Sequence, residues 1–222
     1  MPEQARYMIS DVHLIHPRCD MRGLDVMLTC AERESASLFI LGDLFDAYLR
    51  ALYVVRSRPD IRLRLLRMQA LLEAYIAGNH DGEARHSEGL PGPTNYPTYI
   101  TTIDGVRWHM EHGHLIGKWA KLFRALDYVD QTAAFRTVVR SAHTLPCVAT
   151  VGRKAEDPDF IAKAAARARR AGCTVAVVGH THQQRIIEDR AGTPVTVVNL
   201  GSCIDRAEWT VWRDGEFHEE RA

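Results

Sequence analysis

The sequence predicts an α/β fold, and three observations predict it. Short apolar runs rich in β-branched and aromatic residues recur at 6–9, 37–41, 74–77 and 174–178, each with the length and composition of a buried strand. Helical patterns separate them, at 23–35 and 61–74, so strand and helix alternate as in βαβ architectures. Each run closes on a glycine or polar turn bearing Asp, Asn or His, and loops at strand carboxyl ends are where α/β proteins bind ligands.

Spacing supports the same reading. Asp11 to Asp43 spans 32 residues, Asp43 to Asn79 spans 36 and Asn79 to His112 spans 33, each close to the roughly 30 residues of one βαβ unit. His112 to His180 spans 68, which predicts an extra unit, a helical insert or cap at about 115–172. Within it Leu115, Trp119, Leu122, Leu126 and Val129 recur at three- and four-residue steps. Asp157-Pro158 offers an N-cap and first-turn proline for a helix running to Gly172. The insert reads either as a cap over a site or as ordinary core packing. Beyond His182, the runs 184–188, 195–200 and 208–212 flank turns at Arg190-Ala191-Gly192 and Asp214-Gly215. They predict antiparallel strands completing a second sheet, and the whole of 1–222 reads as one domain.

A composition of 46% apolar and 25% charged residues over 222 positions suits a globular chain with a full core. The 28 basic and 28 acidic residues cancel, which argues against nucleic acid as a partner. Five scattered cysteines without a C-x-x-C pair predict a reducing, cytoplasmic setting. No signal pattern opens the chain, and no apolar run approaches the roughly 20 residues that span a bilayer. The arginine run Arg50, Arg56, Arg58, Arg62, Arg64 and Arg67 has two readings. One is a surface for an anionic substrate or for peripheral contact at the inner face of a membrane; the other is a solvated helix face balanced by acids elsewhere.

Five blocks carry the chemistry: Asp11-Val12-His13, Gly42-Asp43-Leu44-Phe45-Asp46, Gly78-Asn79-His80-Asp81, His112-Gly113-His114 and Gly179-His180-Thr181-His182. Carboxylate, imidazole and carboxamide donors without thiolate suit hard or borderline divalent ions. Seven candidate ligands exceed what one ion can use, so two ions are implied. Two ions about 4 Å apart can hold the attacking and leaving oxygens of a displacement at phosphorus, and they lower the pKa of a water toward neutrality.

The ordered set D-x-H, GD-x-x-D, GNHD, HGH and GHTH resembles that of the calcineurin-like metallophosphoesterases over residues 9–182. The resemblance implies a four-layer α/β/β/α sandwich of two mixed sheets flanked by helices, with a dinuclear metal site at the carboxyl ends of the strands. It implies that Asp11, His13 and His182 hold one ion, that Asn79, His112 and His180 hold the other, and that Asp43 bridges them. It makes His80 the general acid and Asp46 the carboxylate paired with it, a neighbour that favours the imidazolium an acid must start from. Manganese is the first expectation for both ions, with iron, zinc, cobalt and nickel as alternatives. His114, Arg50 and Arg85 are candidate substrate contacts, while His16, His86, His109, His143 and His218 read as structural or surface residues.

Within the superfamily, S-D-x-H-L, G-D-L-F-D, the insert and Asn199-Leu200-Gly201-Ser202 resemble the UDP-2,3-diacylglucosamine hydrolases, which cleave a nucleotide pyrophosphate. The sequence departs from their best-known branch, which has arginine where His80 stands and aspartate where His114 stands. The expected activity is hydrolysis of a phosphodiester, pyrophosphate or phosphomonoester in a small-molecule or nucleotide-linked substrate by in-line attack of activated water. A cyclic-nucleotide or other small-diester phosphodiesterase is the alternative. A non-catalytic scaffold of the same fold is a third reading, against which stand His80 and all seven ligands.

Overall fold

In the computed structural model, which describes residues 4–45, 58–81, 97–116 and 159–222, two five-stranded mixed sheets share one apolar interface. In chain order the elements are β1 (Arg6–Ile9), α1 (Met21–Arg33), β2 (Ser37–Leu41), α2 (Pro59–Leu71), β3 (Leu72–Ile76), β4 (Thr98–Ile103), β5 (Val106–Glu111), α3 (Phe160–Arg170), β6 (Val175–Val178), β7 (Arg185–Asp189), β8 (Val195–Asn199), β9 (Glu208–Arg213) and β10 (Glu216–Arg221). The first sheet has the order β10-β9-β1-β2-β3 and the second β4-β5-β6-β8-β7.

The two-residue period of the strands builds the layers. In β1 and β2, Tyr7, Ile9, Leu38 and Ile40 join the helix-side core with Leu24, Leu28, Ile61 and Leu65. Their alternates Met8, Phe39 and Leu41 enter the core between the sheets with Trp108, Met110, Val177 and Val198. On the second sheet Ala176, Val178 and Val197 face Phe160, Ala164 and Ala168 of α3. Helix, sheet, sheet and helix are therefore stacked as the sequence predicts.

Four local expectations are corrected. α1 begins at Met21 rather than 23, because the Asp20 carboxylate caps it by accepting from the Gly23 amide at 3.0 Å. α2 stops at Leu71 rather than 74, and the chain passes at once into β3. The 33 residues from Asn79 to His112 are no βαβ unit. The chain leaves the first sheet after β3 and enters the second by the antiparallel pair β4–β5. The β9–β10 hairpin, expected on the second sheet, pairs instead with β1 on the first, with Arg6 opposite Trp212 and Met8 opposite Thr210. Packing decides that placement: Trp209 and Val211 complete the helix-side core, and the Trp212 and Phe217 rings stand 5.1 and 5.0 Å from Trp108 across the interface.

The insert lies largely outside the described residues, as do the residues at 157 and 158. α3 is its described carboxyl-terminal part, Phe160–Arg170, with Asp159 at the N-cap position. Among the described residues no helix is long and apolar enough to cross a membrane.

Candidate metal centre

The parallel strands β1, β2, β3, β5 and β6 lead into the five blocks, which are the turns at their carboxyl ends. There the backbone takes an uncommon shape: Asp11 (φ 50°), His13 (50°), Asp43 (52°), His180 (71°) and His182 (58°) are all left-handed. A non-glycine residue in that region costs about 1 kcal/mol or more. Five of them at one place point to a function that needs their side chains so aimed. The chain can crowd this tightly only because small residues sit beside the aimed ones. A Cβ on Gly42 would stand 2.6 Å from both Gly78 Cα and His112 Nδ1, and one on Gly179 would collide with Ser10 Oγ.

Two trios of donor atoms result, Asp11 with His13 and His182, and Asp43 with His112 and His180, each set lying within 4.8 Å of one another. Each aspartate has one oxygen held by hydrogen bonds and the other turned to the imidazoles. Asp11 Oδ2 accepts from the His180 amide at 2.7 Å and lies 2.6 Å from Ser10 Oγ, while Oδ1 lies 2.9 Å from His182 Nε2. Asp43 Oδ1 accepts from the His80 amide at 2.9 Å, while Oδ2 lies 3.2 Å from His112 Nε2 and 3.9 Å from His80 Nε2. Asp43 thus touches both the second trio and His80, whose ring is 5.2 Å from that of His13 of the first.

Asp11 and Asp43 are about 1% exposed or less. Burial would raise both carboxyl groups, yet His112 and its neighbours hold them below the usual range. Burial would likewise depress His112, but Asp43 and Asp11 raise it to about 9. Burial dominates at His13 and lowers it to about 4. Among the described residues, Asp11 Oδ1, Asp43 Oδ2, Asn79 Oδ1 and His112 Nε2 are buried without a hydrogen-bond partner. Orphaned buried acceptors are costly, and these four are carboxylate, carboxamide and imidazole atoms, the kinds that can ligate a metal. The donor set, oxygen and imidazole nitrogen without sulfur, fits divalent ions. His112 is preset for such a role, because its Nδ1 lies 2.6 Å from the Leu41 carbonyl oxygen. Donation there leaves Nε2 as the coordinating nitrogen.

Of the residues expected from the sequence, Asp11, His13, Asp43, Asn79, His80, His112, His180 and His182 gather here. His114 joins them, 2% exposed, its ring 5.4 Å from His112 and 6.4 Å from His180. Asp46, Arg50 and Arg85 lie outside the described residues.

The arginine run is resolved by α2. Arg64 donates to Asp25 at 2.6 and 2.9 Å, Arg67 to Glu32 at 2.7 and 2.8 Å, and Arg58 to Asp60 at 2.7 and 2.8 Å. Asp25 and Glu32 belong to α1, so Arg64 and Arg67 tie the two helices together. The balanced reading holds for these three; Arg62 stands exposed on α2, and Arg50 and Arg56 lie outside the described residues.

Residues 7–184 match the family model described as calcineurin-like phosphoesterase. The chain belongs to the calcineurin-like phosphoesterase family. No curated protein matches it significantly. Solved structures of the same fold include vacuolar protein sorting 29 from Cryptosporidium parvum, with 14% identity and a TM-score of 0.53 over 100% of this chain and 98% of that one. Wild-type Vps29 from Entamoeba histolytica complexed with Zn2+ has 16% identity and a TM-score of 0.50 over 99% and 98% of the two chains. An archaeal phosphodiesterase has 16% identity over 99% and 100%, with a TM-score of 0.49.

Two further residues of this calcineurin-like phosphoesterase site have roles that motif order left unassigned. Asp81 Oδ2 accepts from the Asp43 amide at 2.7 Å and the Gly78 amide at 2.8 Å, which ties the GD and GNHD turns together. Burial and the neighbouring Asp43 carboxylate raise Asp81 to about 6. Ser10 Oγ lies 2.7 Å from the Leu41 carbonyl and joins β1 to the end of β2. Both stood in the quoted motifs, as the final letter of GNHD and the residue before D-x-H. Their function lies in contacts between blocks, which spacing along one chain does not reveal.

Proposed function

We propose that this chain hydrolyses phosphate esters with a pair of divalent ions, held by Asp11, His13 and His182 on one side and by Asn79, His112 and His180 on the other, with Asp43 shared. The observation that carries the reading is the pair of donor trios, one containing Asp11 and the other Asp43, with buried oxygens and an imidazole nitrogen left without hydrogen-bond partners. When bound, the ions supply Lewis acidity that activates water and offsets charge developing on the phosphoryl oxygens. The rest belongs to the polypeptide. Backbone and hydroxyl donors hold one oxygen of each aspartate, so each carboxylate is oriented before substrate arrives. His80 is less buried than the candidate ligands, with 22% of its side chain exposed, and stands 3.9 Å from Asp43 Oδ2. That exposure and proximity support the reading in which His80 reaches an incoming ester and donates a proton to the departing oxygen. The burial of Asp11, Asp43, His112 and His182 strengthens every charge interaction in the site.

A nucleotide-linked pyrophosphate is the first substrate class and a cyclic nucleotide or other small diester the second. The S-D-x-H-L opening and the Asn199–Ser202 strand end support the first. The test is hydrolysis of bis(p-nitrophenyl) phosphate and p-nitrophenyl phosphate by metal-free protein reloaded with manganese, followed by the same measurement with UDP-linked pyrophosphates and cyclic nucleotides. Turnover that appears with the metal and disappears on chelation is expected. Absence of turnover with every substrate, in folded and metal-loaded protein, overturns the hydrolase and leaves a scaffold of the same fold.

A further inference from the structure

Beside the first trio a cavity of about 410 Å³ opens, with His182 forming part of its wall. Its other lining residues come from three places: Arg18 from the turn after D-x-H, Ser202, Ile204, Asp205 and Arg206 from the β8–β9 connection, and Glu208 and Arg221 from the β9–β10 hairpin. Register fixes the last two, since Glu208 stands opposite Arg221 in the ladder. The volume is that of a small-molecule subsite.

Three arginines therefore line a hollow that shares His182 with the candidate metal centre. Arg18 is held by a two-point contact to Asp205. Arg206 donates through Nε to the main-chain oxygen of Ala222, the last residue of the sequence, at 2.8 Å, which fixes that edge of the guanidinium. Among the described residues neither Arg206 nor Arg221 pairs with a side-chain carboxylate, in contrast to Arg58 just before α2 and Arg64 and Arg67 within it. A planar guanidinium fork matches phosphate oxygens in two-point geometry. Asp205 and Glu208 leave the cavity only modestly cationic, which suits one additional phosphate better than a polyanion.

We infer that this cavity is a subsite for a second phosphate of the substrate, held by Arg206 and Arg221 with Arg18 beside them, while the scissile phosphate lies at the donor trios. The inference rests on the phosphoesterase reading above and narrows its substrate class to esters carrying two phosphates. The second phosphate is either the far half of a pyrophosphate or a phosphate elsewhere on the same alcohol.

The experiment compares manganese-loaded protein on three substrates: thymidine 5′-(p-nitrophenyl phosphate), its 3′-phosphorylated analogue, and a UDP-sugar assayed for release of UMP. A preference of about 10- to 100-fold in kcat/KM for at least one two-phosphate substrate over the one-phosphate ester is expected, the range of one or two charge-assisted hydrogen bonds. Which of the two is preferred distinguishes the pendant phosphate from the pyrophosphate. In Arg206→Ala/Arg221→Ala the preference should collapse toward unity through a rise in KM, and in Arg206→Lys/Arg221→Lys it should fall only in part. Equal kcat/KM on all three substrates by the unaltered protein, or a preference that the alanine pair leaves intact, overturns the subsite while the hydrolase stands. Lack of turnover on all three overturns the hydrolase and the subsite with it.

Discussion

The molecule uses the left-handed backbone in two regions for two different ends. In the hairpin turns Asp104-Gly105 and Asp214-Gly215, φ is 50° and 77°, then 54° and 78°, and a Cβ on either glycine would meet nothing within 4 Å. These are exposed reversals of the D-G kind, where the conformation comes cheaply and its use is to turn the chain, Asp104 in addition accepting from Arg6 and Trp212 Nε1. At the carboxyl ends of the parallel strands the same conformation falls on Asp11, His13, Asp43, His180 and His182, in crowded and mostly buried surroundings. Histidine gains nothing locally from a positive φ, so the surrounding packing must impose it. The difference teaches that backbone strain is informative where it is buried and falls on reactive side chains, and uninformative where Asp-Gly turns a hairpin.

The sharpest break of that comparison is Asp43→Ala. If Asp43 is shared between the two ions as proposed, the variant should lose both by elemental analysis and lose activity by more than about 10⁴-fold, beyond what one proton donor contributes. Retention of one ion at full occupancy would show that Asp43 is not shared. Next in size is His80→Ala, which should keep the metal content and lower kcat by about 10² to 10⁴. Loss of both ions in that variant would mean His80 is a ligand.

His109 tests a buried histidine outside the constellation. It is 5% exposed, 3.8 Å from Glu111, and lowered to about 4 by burial and then by Arg167. The unfolded chain then binds a proton that the folded chain refuses between about pH 4 and 6.5. The stability from neutral His109 is thus full above pH 6.5 and is lost as pH falls toward 4, by about 3 kcal/mol in all. Chemical denaturation of His109→Leu should show a correspondingly shallower acid decline than the unaltered protein, and parallel curves would refute the assignment. The smallest effect belongs to the hairpin end. Gly215→Val should cost about 1–2 kcal/mol of stability through its positive φ alone, with kcat per folded molecule unchanged.

Much of the site was legible in one dimension. Asp11, Asp43, Asn79, His112, His180 and His182 each stand where a strand ends, and the order of their blocks carried the resemblance. β1 and β2 match the apolar runs 6–9 and 37–41 at both ends, because buried parallel strands are continuous apolar segments that periodicity detects. β5 was less visible, since Arg107, His109 and Glu111, which alternate with the core residues Trp108 and Met110, interrupt the run, and the buried Glu111 is paired with Arg167 on α3, which donates to it at 2.7 Å. The role of the arginine run was undecidable from sequence, because its partners Asp25 and Glu32 lie 39 and 35 residues away from Arg64 and Arg67.

By itself the sequence determined which residue types arrive at strand ends, and so the donor chemistry and the family. Side-chain type and local periodicity are properties of neighbouring residues and survive without a fold. Tertiary structure alone decided that the β9–β10 hairpin lies beside β1, that Asp81 and Ser10 bind neighbouring turns together, and that Arg206 and Arg221 border the cavity at His182. Those facts depend on which sheet edge offers a matching apolar face and on contacts that span 31 residues from Ser10 to Leu41, 38 from Asp43 to Asp81 and 206 from Arg6 to Trp212, farther than any local pattern reaches.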